Sequence, residues 1–402
     1  MLKPKFGMLN VLLDAYYEKQ VENLQFVPIT INYSRVLEGE TFPFELLGEE
    51  KVKESLGRIV SAAKILRMNF GKIFVEFCDP IPFQRYEAEF LARPHQRALQ
   101  PQTNLADRRI VSARLGQDLV HALLRNLVIM PTSLVAGILL QYRKGISEDE
   151  LIKQVQWLGN QVHERGGMLP FTKGQHEQQA VSVAAVRTGI FHLDMCIDKK
   201  KDIFEPSVSP RVDYKNILLL SYYKNSYVHL FIDESLIACS LFASGQQIAW
   251  KDGVEKSKLW EQAKFLQNLL KGEFVKENYM DSQESFDAVV ELMKQRQSVF
   301  EKEDGRLVLN RNGESHIAML CSLVWPLVDS YWITFVFIFS LVPRKYVQES
   351  KIYQKIQWFA EALYEEKITS FFESCSQETI RNAVNAYLVG ASLLTLAAHG
   401  IH

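Results

Sequence analysis

Two short stretches of alternating apolar side chains constrain the fold of this chain more than anything else in it. In the first, Val27, Ile29, Ile31 and Tyr33 share one face at period two, while Thr30 and Asn32 fall on the other. In the second, Ile73, Val75 and Phe77 alternate until Asp79-Pro80 ends the run. Pro28 has no N–H to donate, so it belongs at a strand's start or edge. Between the two, Leu56, Ile59, Val60, Ala63 and Leu66 recur at helical spacing over 55–69, and Gly71 is placed to stop that helix. Strand, helix and strand read as a β-α-β unit, whose strands are expected to be parallel with a right-handed crossover. Ahead of it, Leu9, Leu12, Leu13, Tyr16 and Tyr17 recur at i, i+3, i+4, i+7 and i+8, which predicts a helix over 8–20. Parallel sheets need several strands covered on both faces. The expectation is therefore an α/β portion that begins partway through a domain.

Residues 80–112 change character. Pro80, Pro82, Pro94 and Pro101 accompany Arg85, Arg93, Arg97, Arg108 and Arg109, with Glu87, Glu89 and Asp107 diluting the positive charge. That composition reads as a solvated connector over 84–106. Beyond it the pattern is helical, with segments predicted at 107–129, 132–143, 147–164, 212–230, 234–243, 254–271, 282–298, 314–341, 350–373 and 377–398. Ser147 with Glu150 forms a capping-box pattern at one start. FHLDMCID (191–198) alternates as a strand does. The fold class is α/β followed by all-α: helix-strand-helix-strand in 1–83, a linker over 84–106, and a large helical domain over 107–402.

A net charge of −1 gives no field that would draw nucleic acid. The ordinary apolar and charged fractions describe a folded chain. Cys78, Cys196, Cys239, Cys321 and Cys375 show no paired spacing, which fits buried, inert thiols in a reducing compartment. Lys3, Pro4 and Lys5 lead into an amphipathic helix and not into the smooth apolar run of a signal peptide.

Five blocks stand in order within the first 83 residues: KPKFGMLN, VPITINY, ELLG, KVKES and NFGKIFVEFCDPIPF. The last four resemble the fourth motif and the closing strand of the catalytic domain in the glycerol-3-phosphate and dihydroxyacetone-phosphate acyltransferases, and Lys3-Pro4-Lys5-Phe6-Gly7 resembles the downstream tail of the third motif, with KPKFGMLN and FELLGEEKVKES closer to the dihydroxyacetone-phosphate branch. MPTSLVAGILLQYRKGISEDELIKQVQWL (130–158), ILLLSYYKNSYVHLFIDESLIA (217–238) and WPLVDSYW (325–332) resemble the same family's carboxy-terminal domain. In the middle block Leu218, Tyr222, Asn225 and His229 step along one helical face, so Asn225 and His229 are expected to hydrogen-bond inside a helix-helix contact.

The resemblance implies acyl transfer from acyl-CoA, a co-substrate with no cofactor beside it, to dihydroxyacetone phosphate or glycerol 3-phosphate. It implies substrate contact at Val27, Pro28 and Ile29. From the residues themselves, Val27 and Ile29 read as strand core, and Thr30 and Asn32 are the better pocket-facing candidates. Lys3 and Lys5 are the cations nearest the site, and they read equally as solvated charges at a terminus.

Acyl transfer needs a general base and an oxyanion stabiliser. This family supplies the base as a His with an Asp five residues on, and none of the nine histidines has that spacing. His121 meets Asn126, His192 meets Ile197, and His229 meets Glu234 inside a helical block, which reads as structural. The family's Gly-led block ending in paired arginines and its Glu-Gly-Thr-Arg-Ser core are absent too. No catalytic residue is therefore assigned, and the chain is expected to be a fragment or shortened isoform inactive alone. His192, Asp194 and Cys196 would share a strand face, but no second pair completes a metal site.

The run 317–342 is long enough to span a bilayer, yet Pro326, Asp329 and Ser330 interrupt its middle. A buried helix pair is the first reading, docking of its Trp and Phe residues at a membrane surface the second, and a true span the third. The resemblance implies a peroxisomal membrane, with the mitochondrial outer membrane or endoplasmic reticulum as alternatives, and the next enzyme of ether-lipid synthesis as a partner. The tail does not end in a Ser-Lys-Leu-type address. The rival from another class is a non-catalytic helical module that docks on membranes or on a partner enzyme.

Overall fold

The computed structural model describes residues 4–36, 39, 41–48, 69–94, 97–170, 181–200, 203–206, 214–275, 280–341 and 348–398. The chain enters on α1 (Gly7–Tyr17) and runs into β1 (Gln25–Phe26) and β2 (Ile29–Tyr33). After α2 (Phe42–Leu46), β3 (Ile73–Phe77) and β4 (Ile81–Pro82) return. β2 pairs with β3 from Ile29↔Phe77 to Tyr33↔Ile73, and β1 with β4, both antiparallel. The expected parallel crossover is thereby corrected to an antiparallel ribbon.

The cause lies at the ribbon's open end. The Ser34 N–H donates to the Lys72 carbonyl at 3.0 Å, and the Lys72 N–H donates to the Ser34 hydroxyl at 3.1 Å. The excursion thus leaves and returns at one end, as a hairpin loop does, whereas a crossover carries the chain to the opposite end. The Cys78 N–H bonds the Pro28 carbonyl at 2.9 Å, so the ladder passes Pro28 at the break between β1 and β2. The helix expected at 55–69 falls almost wholly outside the described residues.

Residues 83–91, read as connector from the sequence except for Phe83, form α3 (Phe83–Leu91). Phe83 and Phe90 bury themselves with Leu13 of α1 and with Val111 and Leu115 of α4 (Leu105–Arg125), making a small separate core. The arginine scatter is taken up by ion pairs around it. Arg109 reaches Asp14 at 2.7 Å, and Arg97 donates to both oxygens of the buried Asp107.

The helical part follows most predicted segments closely, although the helix predicted over 350–373 stops at Glu365, where Lys367 turns to a φ of 61°. It runs through α5 (Pro131–Gln141), β5 (Ile146–Ser147), α6 (Glu148–Glu164) and α7 (Val183–His192). β6 (Ile197–Lys200), β7 (Ile203–Pro206), α8 (Tyr214–Lys224) and α9 (Ile232–Ala243) come next. β8 (Val254–Glu255), α10 (Lys256–Leu269), α11 (Gln283–Gln295), β9 (Val299–Glu301) and β10 (Arg306–Leu309) lead to the last three helices. Those are α12 (Glu314–Phe339), α13 (Glu349–Glu365) and α14 (Gln377–Ala398). Short strands add two small antiparallel sheets, ordered β5-β7-β6 and β8-β10-β9. The main core forms around α5, buried at every position from Pro131 to Leu140, and around α9 and α12. Ser147 caps α6, accepting the Glu150 N–H at 3.3 Å.

Two local readings are corrected here. Residues 191–196 are not strand: Ala185, Val186, Gly189 and His192 are buried at helical spacing, Ser182 caps the start, and α7 runs on to a 3-10 turn at Asp194–Cys196. The helix predicted over 212–230 ends at Lys224, where the Ser226 and Tyr227 N–H groups bond three residues back and tighten the turn. Asn225 is consequently exposed and does not sit in a helix-helix contact.

Among the described residues, Arg311–Phe339 is long and apolar enough to cross a bilayer. In this structure Ser330, Tyr331 and Thr334 are buried against neighbouring helices, while Trp332, Phe335 and Phe339 face outward.

Candidate functional site

The ribbon carries the sequence-predicted binding residues, and its two faces are inverted. Thr30, Asn32 and Ser34 are 5%, 9% and 5% exposed, while Ile29, Ile31 and Tyr33 are 42%, 52% and 41% exposed. Cross-strand register extends the bare face to Phe77, Val75 and Ile73, which stand opposite those three in turn. Val27, 45% exposed, continues it. The expectation that Val27 and Ile29 are strand core is therefore corrected. A row of large hydrocarbons on one sheet face marks a surface made to be covered.

The polar row is held from below by the end of α4. Thr30 Oγ1 donates to the Asn126 carbonyl at 3.0 Å, Asn32 Nδ2 approaches Thr30 Oγ1 at 3.4 Å, and Cys78 Sγ lies 3.8 Å from the Ala122 carbonyl. Thr30 and Asn32 thus face protein, where a buried hydroxyl and amide must be paired. Lys5 is exposed beside Phe6, which packs against Gly116 of α4; among the described residues no hydrogen bond or ion pair ties Lys5 to the ribbon. Lys3 lies outside the described residues. Pro28 joins the ribbon through its carbonyl alone. Among the described residues the ribbon therefore brings hydrocarbon and the Tyr33 phenol, but no carboxylate, imidazole, amine or thiol, to its open face.

The one histidine with a carboxylate five residues on does not make an acid–base pair. Glu234 is gripped by Arg165 through two bonds of 2.8 and 2.9 Å and by Arg296 at 2.8 Å. Arg165 also lies over the Phe231 ring and 3.4 Å from His316 Nε2, and His316 Nδ1 meets Ser298 Oγ at 2.7 Å. Burial, opposed by Glu234 and helped by the two arginines, pulls the His316 imidazole down to about 4. His229 borders the Ser226 and Leu124 carbonyls instead, and burial pulls it down to about 4 as well. Both rings are neutral parts of the packed interior, as the sequence reading of His229 expected.

Two of the thiols are equally unsuited to act as nucleophiles. Cys196 is buried and pushed up to about 12 by that burial, and Cys78 is raised for the same first cause. Among the described residues no three His, Cys, Asp or Glu side chains gather as a metal site would require.

One functional signal was missed. Leu220, Tyr223, Lys224 and Tyr227 repeat at i, i+3, i+4 and i+7 and are all buried, so periodicity places a lysine on a core-facing stripe. The face read instead ran through Leu218, Tyr222, Asn225 and His229, of which Tyr222 and Asn225 are exposed.

The family described as glycerol-3-phosphate acyltransferase C-terminal region matches residues 44–389. The chain is 25% identical over 393 residues to a dihydroxyacetone phosphate acyltransferase of Homo sapiens, covering 96% of this chain and 56% of that protein. It is 26% identical over 394 residues to the Mus musculus protein of the same description, with the same coverage. It is 30% identical over 253 residues to a glycerol-3-phosphate acyltransferase of Ectopseudomonas mendocina, covering 62% of this chain and 29% of that one. The chain thus spans about half the length of the first two relatives. With 44–389 matched, it belongs to the family of the glycerol-3-phosphate acyltransferase C-terminal region.

Proposed function

We propose that this chain is the carboxy-terminal part of a glycerolipid acyltransferase that acylates dihydroxyacetone phosphate, with glycerol 3-phosphate as the sister acceptor. The single observation that carries the reading beyond family membership is the inverted ribbon, whose bare hydrocarbon face suits cover by a further layer of a larger domain. In the reaction the acceptor hydroxyl oxygen bonds the acyl carbon, the carbon–sulfur bond of acyl-CoA breaks, and coenzyme A leaves as its thiol. The hydroxyl proton passes to a general base. This chain has no His-x-x-x-x-Asp to serve as that base, so it supplies scaffold and surface, not the proton transfer.

The outward Trp332, Phe335 and Phe339 suit apposition to a membrane, the peroxisomal membrane in the dihydroxyacetone-phosphate branch, where the next enzyme of ether-lipid synthesis is a partner. The same aromatics support the second reading, a non-catalytic docking module. The deciding assay is incubation of the purified chain with labelled acyl-CoA and dihydroxyacetone phosphate. It is run alone and then with the segment of the human relative that lies outside the match. No turnover alone and turnover on addition is the expected result. Robust turnover alone refutes the scaffold role, and none in either case favours the docking module.

A further inference from the structure

A cavity of about 130 Å³ lies where α2, the end of α8, the middle of α12 and the start of α14 meet. That is near the ~150 Å³ of an engineered cavity that holds benzene, so a ligand of about six heavy atoms fits. Its floor holds Lys224, only 4% exposed, whose Nζ makes one bond, to the Ser322 carbonyl at 3.5 Å. That carbonyl is available because Pro326, four residues on in α12, has no N–H to close the helical bond. Burial pulls the Lys224 ammonium below its ordinary value and Glu373 supports its charge, but one long bond leaves two of its three donors without a hydrogen bond among the described residues.

Two further buried donors face the same space. Ser376 and Thr379 are 7% and 8% exposed, and neither hydroxyl has a hydrogen-bond partner among the described residues. They stand at the first turn of α14, a 22-residue helix whose N-terminal N–H groups and dipole favour negative charge there.

The carboxylates around the cavity do not cancel this field. Glu373 Oε1 pairs with Arg143 at 2.6 Å, which offsets its charge, while Oε2 has no hydrogen-bond partner among the described residues and remains as an acceptor for a hydroxyl proton. Burial raises the Glu373 carboxyl, but Arg143 and Lys224 together hold it below its ordinary value. Glu273 is occupied by the Tyr331 hydroxyl at 3.0 Å and Asn382 Nδ2 at 3.2 Å, and Glu378 is exposed at the mouth. Three donors, one helix terminus and one acceptor therefore converge on a space with room for a small anion.

We propose that this cavity binds a small oxyanion, a phosphate or a short carboxylate, held by Lys224, Thr379 and the first turn of α14. The site stands on its own geometry and does not depend on the acyltransferase reading.

Thermal unfolding of the full chain in sodium phosphate, in sodium butyrate and in sodium chloride of matched ionic strength tests it. Phosphate or butyrate at saturating concentration is expected to raise Tm by about 2 °C or more over chloride, and which salt does so names the ligand class. Lys224→Met, which removes the buried charge at similar volume, should abolish that shift. If Lys224→Met fails to fold, Thr379→Val gives the same reading. A wild-type chain that responds to neither salt beyond chloride overturns the proposal. So does a shift undiminished in the folded variants, which would leave Lys224 only as the cap of the Ser322 carbonyl.

Discussion

The ribbon and the helical part handle the same kinds of residue in opposite ways. In the helical part apolar stripes turn inward, and a carboxylate that goes in with them, Glu234, is held by two arginines. In the ribbon the threonine and asparagine go in and the isoleucines come out. The alternation is equally regular in both places. What differs is the support: α4 offers the ribbon carbonyls at Asn126 and Ala122, and a sheet lays its polar face where hydrogen-bond acceptors await it. The hydrocarbon face is left for something else. Period alone names two faces without saying which is inside.

The sharpest contrast should come from Glu234→Ala. The buried Arg165 and the half-buried Arg296 would lose the carboxylate they share, a change worth about 3–5 kcal/mol, read by urea unfolding at neutral pH. A loss under 1 kcal/mol would break the picture of a fully closed helical interior.

Next in size is a pH effect. Burial raises the Glu273 carboxyl to about 7 from an ordinary 4.5, so the folded chain holds that proton more tightly than the unfolded one. Its contribution is full below pH 4.5 and is lost as pH rises through 7, on the order of 3 kcal/mol. Glu273→Gln should flatten the wild-type decline between pH 5 and pH 8.

On the ribbon the effects shrink. Thr30→Val removes the donor to the Asn126 carbonyl and should cost about 1 kcal/mol in the same unfolding assay. Ile31→Thr on the bare face should stay within about 0.5 kcal/mol. If Ile31→Thr matches or exceeds Thr30→Val, the bare face is covered in solution and the contrast between the regions fails.

Much of the helical part was legible because its helices are long and their stripes unbroken. α6 begins at the predicted Ser147 cap, α10 and α14 fall within predicted spans, and α9 starts two residues ahead of its own. Strands of two to four residues such as β5, β8 and β10 are too short to show a period, so both small sheets went unseen. α3 was hidden by the prolines and arginines around it, although its Phe83 and Phe90 are core residues. Strand direction was not legible either. Alternation at Ile29–Tyr33 and Ile73–Phe77 is the same for parallel and antiparallel pairing, and the Ser34–Lys72 exchange that decides it lies outside both runs. Lys224 escaped notice because a lone lysine beside tyrosines reads as a solvated charge until its stripe is traced.

The grip of Arg165 and Arg296 on Glu234 also sets how this region can drift over generations. Glu234 replaced by a neutral residue strands both arginines at once, whereas either arginine can go and leave Glu234 one partner, so the carboxylate is the position that cannot move alone. Across descendants Glu234 should change together with its arginines or stay put, while the outward isoleucines of the ribbon wander in step with whatever surface they meet.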